Sequence, residues 1–291
     1  EVVDEVVRGD GLAVLDHADV DGDRRERSSG ARASRPEREG RSHDPASTKD
    51  ARHPVPGIVA ASRMADISSL LGDPPPSLKI VDVGAMEIGS PPYAPLLELP
   101  TATVIGFEPN PEECAKLNAK QVASHRYVPS FVGDGSKRTF HWCNWAATSS
   151  LYPPNRRVLD RFTELPEFVQ LEGTSEVETA RLDDIPECEG ADFIKIDVQG
   201  ATLDVLRGGQ ATVSRALVVQ CEVEFIPIYE GEPLFAEVDQ EMRRLGFLFH
   251  QFTRLAARTF APLNRRPGAP GQGAGQVIWT DAVYVRSFLD L

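Results

Sequence analysis

The order of apolar and polar positions beyond residue 77 alternates between two rhythms. Leu78–Val83 (LKIVDV), Thr101–Phe107 (TATVIGF), Asp192–Val198 (DFIKIDV) and Ala216–Phe225 are near-continuous apolar runs. That is the pattern of strands buried on both faces of a parallel sheet. Arg126–Val132, Thr139–Ala146, Val177–Leu182, Phe247–Phe252 and Val277–Val285 are weaker strand patterns. Helical patterns lie between them at Tyr93–Leu99, Asn155–Gln170 and Pro111–Gln121, the last with proline in its first turn. Two more, Thr202 to Arg207 and Pro233 to Leu245, stop at Gly208-Gly209 and Gly246. Strands separated by helices predict a doubly wound α/β domain over residues 57–291, a mostly parallel sheet with helices on both faces. The final strand follows a Pro/Gly-rich loop, Pro262–Gly275, and is expected as an antiparallel hairpin edge.

Residues 1–56 break the rhythm. They contain no Phe, Tyr, Trp, Ile or Met, and Asp21 to Lys49 is mostly Arg, Glu, Asp, Ser, Gly and Pro. Such a segment buries too little apolar surface to offset its ordering entropy, so it reads as a disordered leader. The first methionine, Met64, stands just before the first amphipathic stretch (Ile67, Leu70, Leu71), which marks the leader as a dispensable extension.

Composition then narrows the partners. Across 291 residues, 31 Lys+Arg face 44 Asp+Glu, a formal net charge of −13. That balance argues against a nucleic-acid backbone and against anionic lipid as partners. Cys114, Cys143, Cys188 and Cys221 are scattered; without a CxxC or a Cys/His cluster they indicate neither a zinc site nor a disulfide framework. No apolar run approaches the ~20 residues that span a bilayer, and the acidic N-terminus lacks the basic region of a secretory signal. The expectation is a cytoplasmic protein with a small-molecule partner, no nucleic acid and no membrane.

In a doubly wound sheet, ligands bind beyond the carboxyl ends of the strands, near the topological switch point. The first strand runs into Asp82-Val83-Gly84-Ala85-Met86-Glu87-Ile88-Gly89, where Gly84 permits a tight turn against bare backbone. The second ends at Glu108, placed to accept hydrogen bonds from a ribose diol, or else to cap the next helix. The turn is not GxGxxG, and Ser90-Pro91-Pro92 follows where a pyrophosphate would need a helix N-terminus. An adenosine without phosphates fits better, which points to S-adenosylmethionine and away from NAD.

Phe193-Ile194-Lys195-Ile196-Asp197-Val198-Gln199-Gly200-Ala201, continuing into Asp204-Val205-Leu206-Arg207-Gly208-Gly209, resembles the signature of FkbM-type methyltransferases. Ser149 to Asn155, Val177 to Asp184, Glu222 to Phe225 and Trp279 to Val285 resemble that family as well, in order from about residue 78 to 286. The resemblance implies a Rossmann-like seven-stranded sheet and S-adenosylmethionine as cofactor. It further implies that Asp82 and the turn with Gly84, Ala85 and Gly89 face the cofactor's amino-acid end, that Glu108 holds its ribose, and that Gly133 and Asp134 lie near its adenine. The chain departs from the family in carrying Gln199 where a glutamate is usual, and in a glycine turn one residue longer.

Methyl transfer to a hydroxyl needs positioning and removal of a proton. Asp197, at the end of the fourth core strand, is the first candidate, with a helix N-cap as its plain alternative. Glu224 shares a strand face with Glu222 by the two-residue period and is the expected general base. His250 is a third candidate against a surface histidine. A divalent metal held by Asp197 and another carboxylate is the weaker alternative, since no second and third oxygen ligand stand at recognisable spacing. His125 and His141 have no partner pattern, and Arg156, Arg157 and Arg161 read as a solvated helix face. Trp142 and Trp145 read either as acceptor-stacking residues or as core. The expected activity is O-methylation of a small molecule or saccharide; a non-catalytic binding module is the competing reading, and an NAD-dependent oxidoreductase the weaker one.

Overall fold

The computed structural model describes residues 74–263 and 275–289. The leader, the stretch around Ile67–Leu71 and most of the Pro/Gly-rich loop lie outside the described residues.

The strands are β1 (Leu78–Val83), β2 (Ala102–Phe107), β3 (His125–Val128), β4 (Lys137–Cys143), β5 (Leu171–Glu178), β6 (Phe193–Ile196), β7 (Val218–Glu224), β8 (Phe247–Thr259) and β9 (Gly275–Arg286). The longer helices are α1 (Pro111–Ala119), α2 (Thr202–Gly208) and α3 (Phe235–Arg244). Seven strands form one sheet in the order β3-β2-β1-β6-β7-β9-β8, while β4 and β5 pair apart as an antiparallel two-stranded sheet. The pairs from β3 through β7 are parallel, and β9 is antiparallel to both of its neighbours. The order reverses between β1 and β6, which makes their carboxyl ends the switch point. No helix among the described residues is long and apolar enough to cross a membrane.

Side chains alternate along each strand, and the two faces are filled differently. On one face Val81, Val83, Ile105, Ile194, Ile196, Val219 and Val223 form the main core with Leu203, Val205 and Leu206 of α2 and Val238 and Met242 of α3. Each such burial is worth about 1.5–3 kcal/mol. On the other face Ile80, Val104 and Phe193 pack with Tyr93, and the next position along β1 is Asp82. Asp82 stands in register with Lys195, and Lys195 with Gln220. A polar row therefore crosses the second face just below the strand tips.

Three expectations about elements are corrected. The short strand expected at Val177–Leu182 is the end of a longer one, β5, paired apart from the main sheet with β4, which is the extra strand expected at Thr139–Ala146. None of the residues of β5 is fully buried, and that shallow pattern is why only its last residues read as a strand. The helix expected over Asn155–Gln170 is two single turns, Arg156–Leu159 and Leu165–Phe168. Between them Thr163 N donates to Thr259 O (2.9 Å) and Glu164 sits at φ 72, so pairing to the end of β8 outweighs local propensity. The final strand is antiparallel as expected, but it is inserted between β7 and β8, and β8 is the edge.

Candidate active site

Backbone contacts tie three strand tips together at the switch point. Gly84 N and Ala85 N both donate to Phe107 O, at 2.9 and 3.0 Å, and Asp197 N donates to Val83 O at 2.9 Å. Gly84 has φ +80, and a Cβ placed on it would stand 1.8 Å from Asp197 O. Only glycine allows this approach of β1 to β6.

Below that turn lies a neutralised cluster. Asp82, 4 % exposed, accepts from Tyr93 OH at 2.6 Å and from Lys195 Nζ at 3.0 Å, one on each carboxylate oxygen. Lys195 Nζ also donates to Gly84 O at 2.7 Å and stands 3.8 Å from Asp197 Oδ2. Burial alone would push the Lys195 ammonium down, but Asp82 and then Asp197 outweigh it and hold the ammonium above its ordinary value. Burial, reinforced by Asp82, raises the Tyr93 phenol far above its ordinary value and keeps it a donor. Asp82 thus shapes the glycine turn through Lys195. The sequence reasoning did not single out Lys195 or Tyr93; the available signal was a lysine inside the otherwise apolar run of β6.

Glu108, 3 % exposed, accepts from Asn110 N at 2.8 Å. Burial pushes its carboxyl up, and the Asn110 amide offsets part of that. The helix cap beside it is Asn110, whose Oδ1 accepts from Glu112 N at 3.0 Å and Glu113 N at 3.5 Å. Glu108 is therefore left with acceptor capacity at the tip of β2, two strand ends from Asp197. A bare glycine turn beside a buried, under-used carboxylate fits a ligand with a ribose diol and no pyrophosphate. Gly133 and Asp134 are engaged locally: Gly133 N donates to Ala180 O at 2.9 Å. Asp134 Oδ1 accepts from Ser136 N and Oγ at 3.0 and 2.6 Å, contacts that lower its carboxyl. Gly89 has φ +72 and open space around it.

A second, acid-rich cluster occupies the tips of β6 and β7. Asp197 Oδ1 accepts from Gln199 Nε2 at 3.1 Å, and the same nitrogen donates to Glu222 Oε1 at 2.8 Å. Glu224, 1 % exposed, accepts from Gly200 N at 3.1 Å. Glu232 accepts from Tyr229 N at 3.0 Å through Oε1, while its Oε2 is buried without a hydrogen bond. Burial, then Asp197, Glu224 and Asp281, pushes Glu222 well above the ordinary carboxylate value. Burial raises Glu224 to about 8, and burial with Glu224 beside it raises Glu232 to about 9. Asp197 has 34 % of its side chain exposed, whereas Glu224 and Glu232 are buried.

Asp197, Glu222 and Glu224 are thus brought together, as the strand period implied, but by way of the Gln199-Gly200 loop. His250 is not brought to them. It is exposed at a bulge of edge strand β8, level with Val219 and Gln220 near the start of β7 and separated from it by β9. Trp142 Nε1 donates to Ser175 Oγ at 2.7 Å across the β4–β5 hairpin, and Trp145 packs edge-on to Phe168. Arg157 and Arg161 line a shallow cavity with Asn155 and Val158, apart from both clusters. No group of three or more His, Cys, Asp or Glu arranged to hold a metal ion occurs among the described residues.

The family model of the methyltransferase FkbM domain matches residues 82–249. The chain is 32% identical over 187 residues to the 2-O-methyltransferase NoeI of Sinorhizobium fredii, covering 60% of this chain and 74% of that protein. Among solved structures it is similar to a TehB-like SAM-dependent methyltransferase from Corynebacterium glutamicum (12% identity, 76% of this chain and 85% of that one, TM-score 0.34). It is also similar to M. jannaschii TYW2 in complex with AdoMet (13% identity, 72% and 70% coverage, TM-score 0.31). The matched family segment runs from Asp82 to Phe249 and so contains the glycine turn, Glu108 and the whole Asp197–Glu224 cluster. The chain belongs to the FkbM methyltransferase family, and it is an S-adenosylmethionine-dependent methyltransferase.

Proposed function

We propose that this protein transfers the methyl group to a hydroxyl oxygen of a neutral small molecule or saccharide, with Asp197 taking the hydroxyl proton. The observation that carries the reading is the half-exposed Asp197 carboxylate, fixed at the switch point beside the Gly84 turn by its own backbone N–H. Similarity to a protein named as a 2-O-methyltransferase supports oxygen as the acceptor atom. The acids around Asp197 and the net charge of −13 disfavour phosphorylated acceptors and nucleic acid.

Residues of the chain divide the work. Glu108 would hold the ribose hydroxyls, and the Gly84–Ala85 backbone, braced by Lys195, would border the amino-acid end. Gly133 and Asp134 would stand on the adenine side. Bound there, S-adenosylmethionine supplies a methyl group on a sulfonium. The acceptor's hydroxyl oxygen would form the new C–O bond as the S–CH3 bond leaves its electron pair on sulfur, with Asp197 placed to take the hydroxyl proton. Glu224 is too deeply buried for that role; it holds the Gly200 backbone, and so the loop that carries Asp197. His250 is too far along the sheet edge.

The test is incubation with S-adenosylmethionine and a panel of neutral glycosides and alcohols, following S-adenosylhomocysteine and locating the new methyl group by NMR. A methyl ether is expected. Methylation only at nitrogen, sulfur or carbon, or no transfer to any hydroxyl, overturns the reading.

A further inference from the structure

The Gln199 side chain joins the two strand tips of the acid cluster. A primary amide has two N–H protons, and here each meets a different carboxylate, on Asp197 at 3.1 Å and on Glu222 at 2.8 Å. This orientation puts both N–H groups on acids, and Oε1 stands 3.2 Å from Tyr229 OH. The backbone is held just as firmly. Gln199 sits at φ 50, in the left-handed region that side chains other than glycine rarely adopt. Ser150, fully buried, donates from Oγ to Gln199 O at 2.6 Å, and Gly200, at φ 80, donates to Glu224. A strained residue pinned on both sides is maintained by its surroundings, and such residues concentrate at functional sites.

The charges facing Asp197 give the amide its task. Lys195 on its own strand stands 3.8 Å away. Glu222 and Glu224 approach from β7 and Asp281 from β9, with Arg254 beside Asp281. Burial holds the neighbouring Glu222, Glu224 and Asp281 carboxyls above their ordinary values, so what the amide supplies to Asp197 is direction. Two N–H donors fix where its carboxylate points without adding charge.

We infer that Gln199 is a positioning residue, whose single amide spans Asp197 and Glu222 and holds the Asp197 carboxylate aimed at the acceptor. The assignment rests on the reading of Asp197 as the acceptor's base. Gln199→Glu removes the donors and adds another carboxyl; Gln199→Met removes the donors at similar volume.

The experiment is a carbon-13 NMR titration of the full chain labelled at aspartate carboxyls, with the Asp197 signal identified by its loss in Asp197→Asn. In Gln199→Glu and Gln199→Met the Asp197 midpoint is expected to rise by about one pH unit or more. Affinity for S-adenosylhomocysteine should stay within about threefold, and the acid limb of the kcat profile should move up with the midpoint while KM for S-adenosylmethionine holds. Either folded variant suffices. An unmoved Asp197 midpoint in a folded variant overturns the inference, even where the melting temperature falls, since that is what a purely structural hydrogen bond gives. The titration does not depend on turnover. Moved midpoints in a protein that methylates no hydroxyl would uphold Gln199's hold on Asp197 while removing the acceptor reading.

Discussion

The two clusters at the sheet's carboxyl end are neighbours built on opposite principles. Around Asp82 each carboxylate oxygen has its own donor, one from a phenol and one from an ammonium. Around Glu222, Glu224 and Glu232 no cation among the described residues stands comparably close, and burial lifts all three carboxyls. The first arrangement fixes geometry: the charge is matched, and Lys195 spends a further donor on Gly84 O. The second stores protons and leaves Asp197 as the open member. The difference teaches where rigidity ends and proton chemistry begins. On β6 it lies within two residues, between Lys195 and Asp197.

Breaking the neutralised cluster should have the largest effect. Lys195→Met leaves Asp82 buried without its cation, and loss of one partner of a buried pair costs about 3–5 kcal/mol; urea unfolding should show it. A stability within 1 kcal/mol of the parent, on the order of a surface change, would show the pair to be dispensable. Next comes Glu108→Ala, which would remove the two charge-assisted bonds proposed to the ribose, each worth about 1.5–3 kcal/mol. Calorimetry should show S-adenosylmethionine affinity down by more than tenfold with the fold intact, and an unchanged titration would remove Glu108 from the site.

The acid-rich cluster is tested by pH. Glu224 and Glu232 hold their protons to about 8 and about 9 in the folded chain, against an ordinary 4.5. Between those values the folded state binds more protons than the unfolded one, so stability falls as pH rises through that window. Glutamine mimics the protonated acid, and Glu224→Gln and Glu232→Gln should each flatten the decline in urea midpoints. A decline of the same slope in both variants would place its origin elsewhere. The smallest effect belongs to a residue in neither cluster: His250→Ala should leave turnover within about twofold and stability within about 0.5 kcal/mol. An inactive His250→Ala would return that residue to the chemistry.

The parallel core was legible because its strands are buried on both faces and read as apolar runs; β1, β2, β6 and β7 lie within two residues of their expected ends. The β4–β5 hairpin was not, because its exposed alternation carries little periodic signal and its pairing is settled by contacts far along the chain. Asp204 shows the same limit. Its buried carboxylate receives Arg138 Nη1 and Tyr152 OH, both at 2.9 Å, and so fastens the hairpin region to α2. In sequence these three residues are too far apart to be paired. Among the candidate site residues, Gly84, Glu108 and Asp197 followed from the rule that ligands gather at strand ends, and Asp82 from the family resemblance. Gln199 was visible only as a departure from the family pattern, and its bridging of two strands needed their register.

The central claim is that binding belongs to the β1–β2 tips and proton removal to Asp197. It is met most directly by measuring S-adenosylhomocysteine affinity and kcat side by side on Asp197→Asn. S-adenosylhomocysteine carries no sulfonium charge, so the lost carboxylate should cost it little. Affinity is expected within about threefold of the parent while kcat falls by about a hundredfold or more, the range of general-base catalysis. Affinity falling in parallel with kcat would put Asp197 in the cofactor cradle and contradict the division of labour.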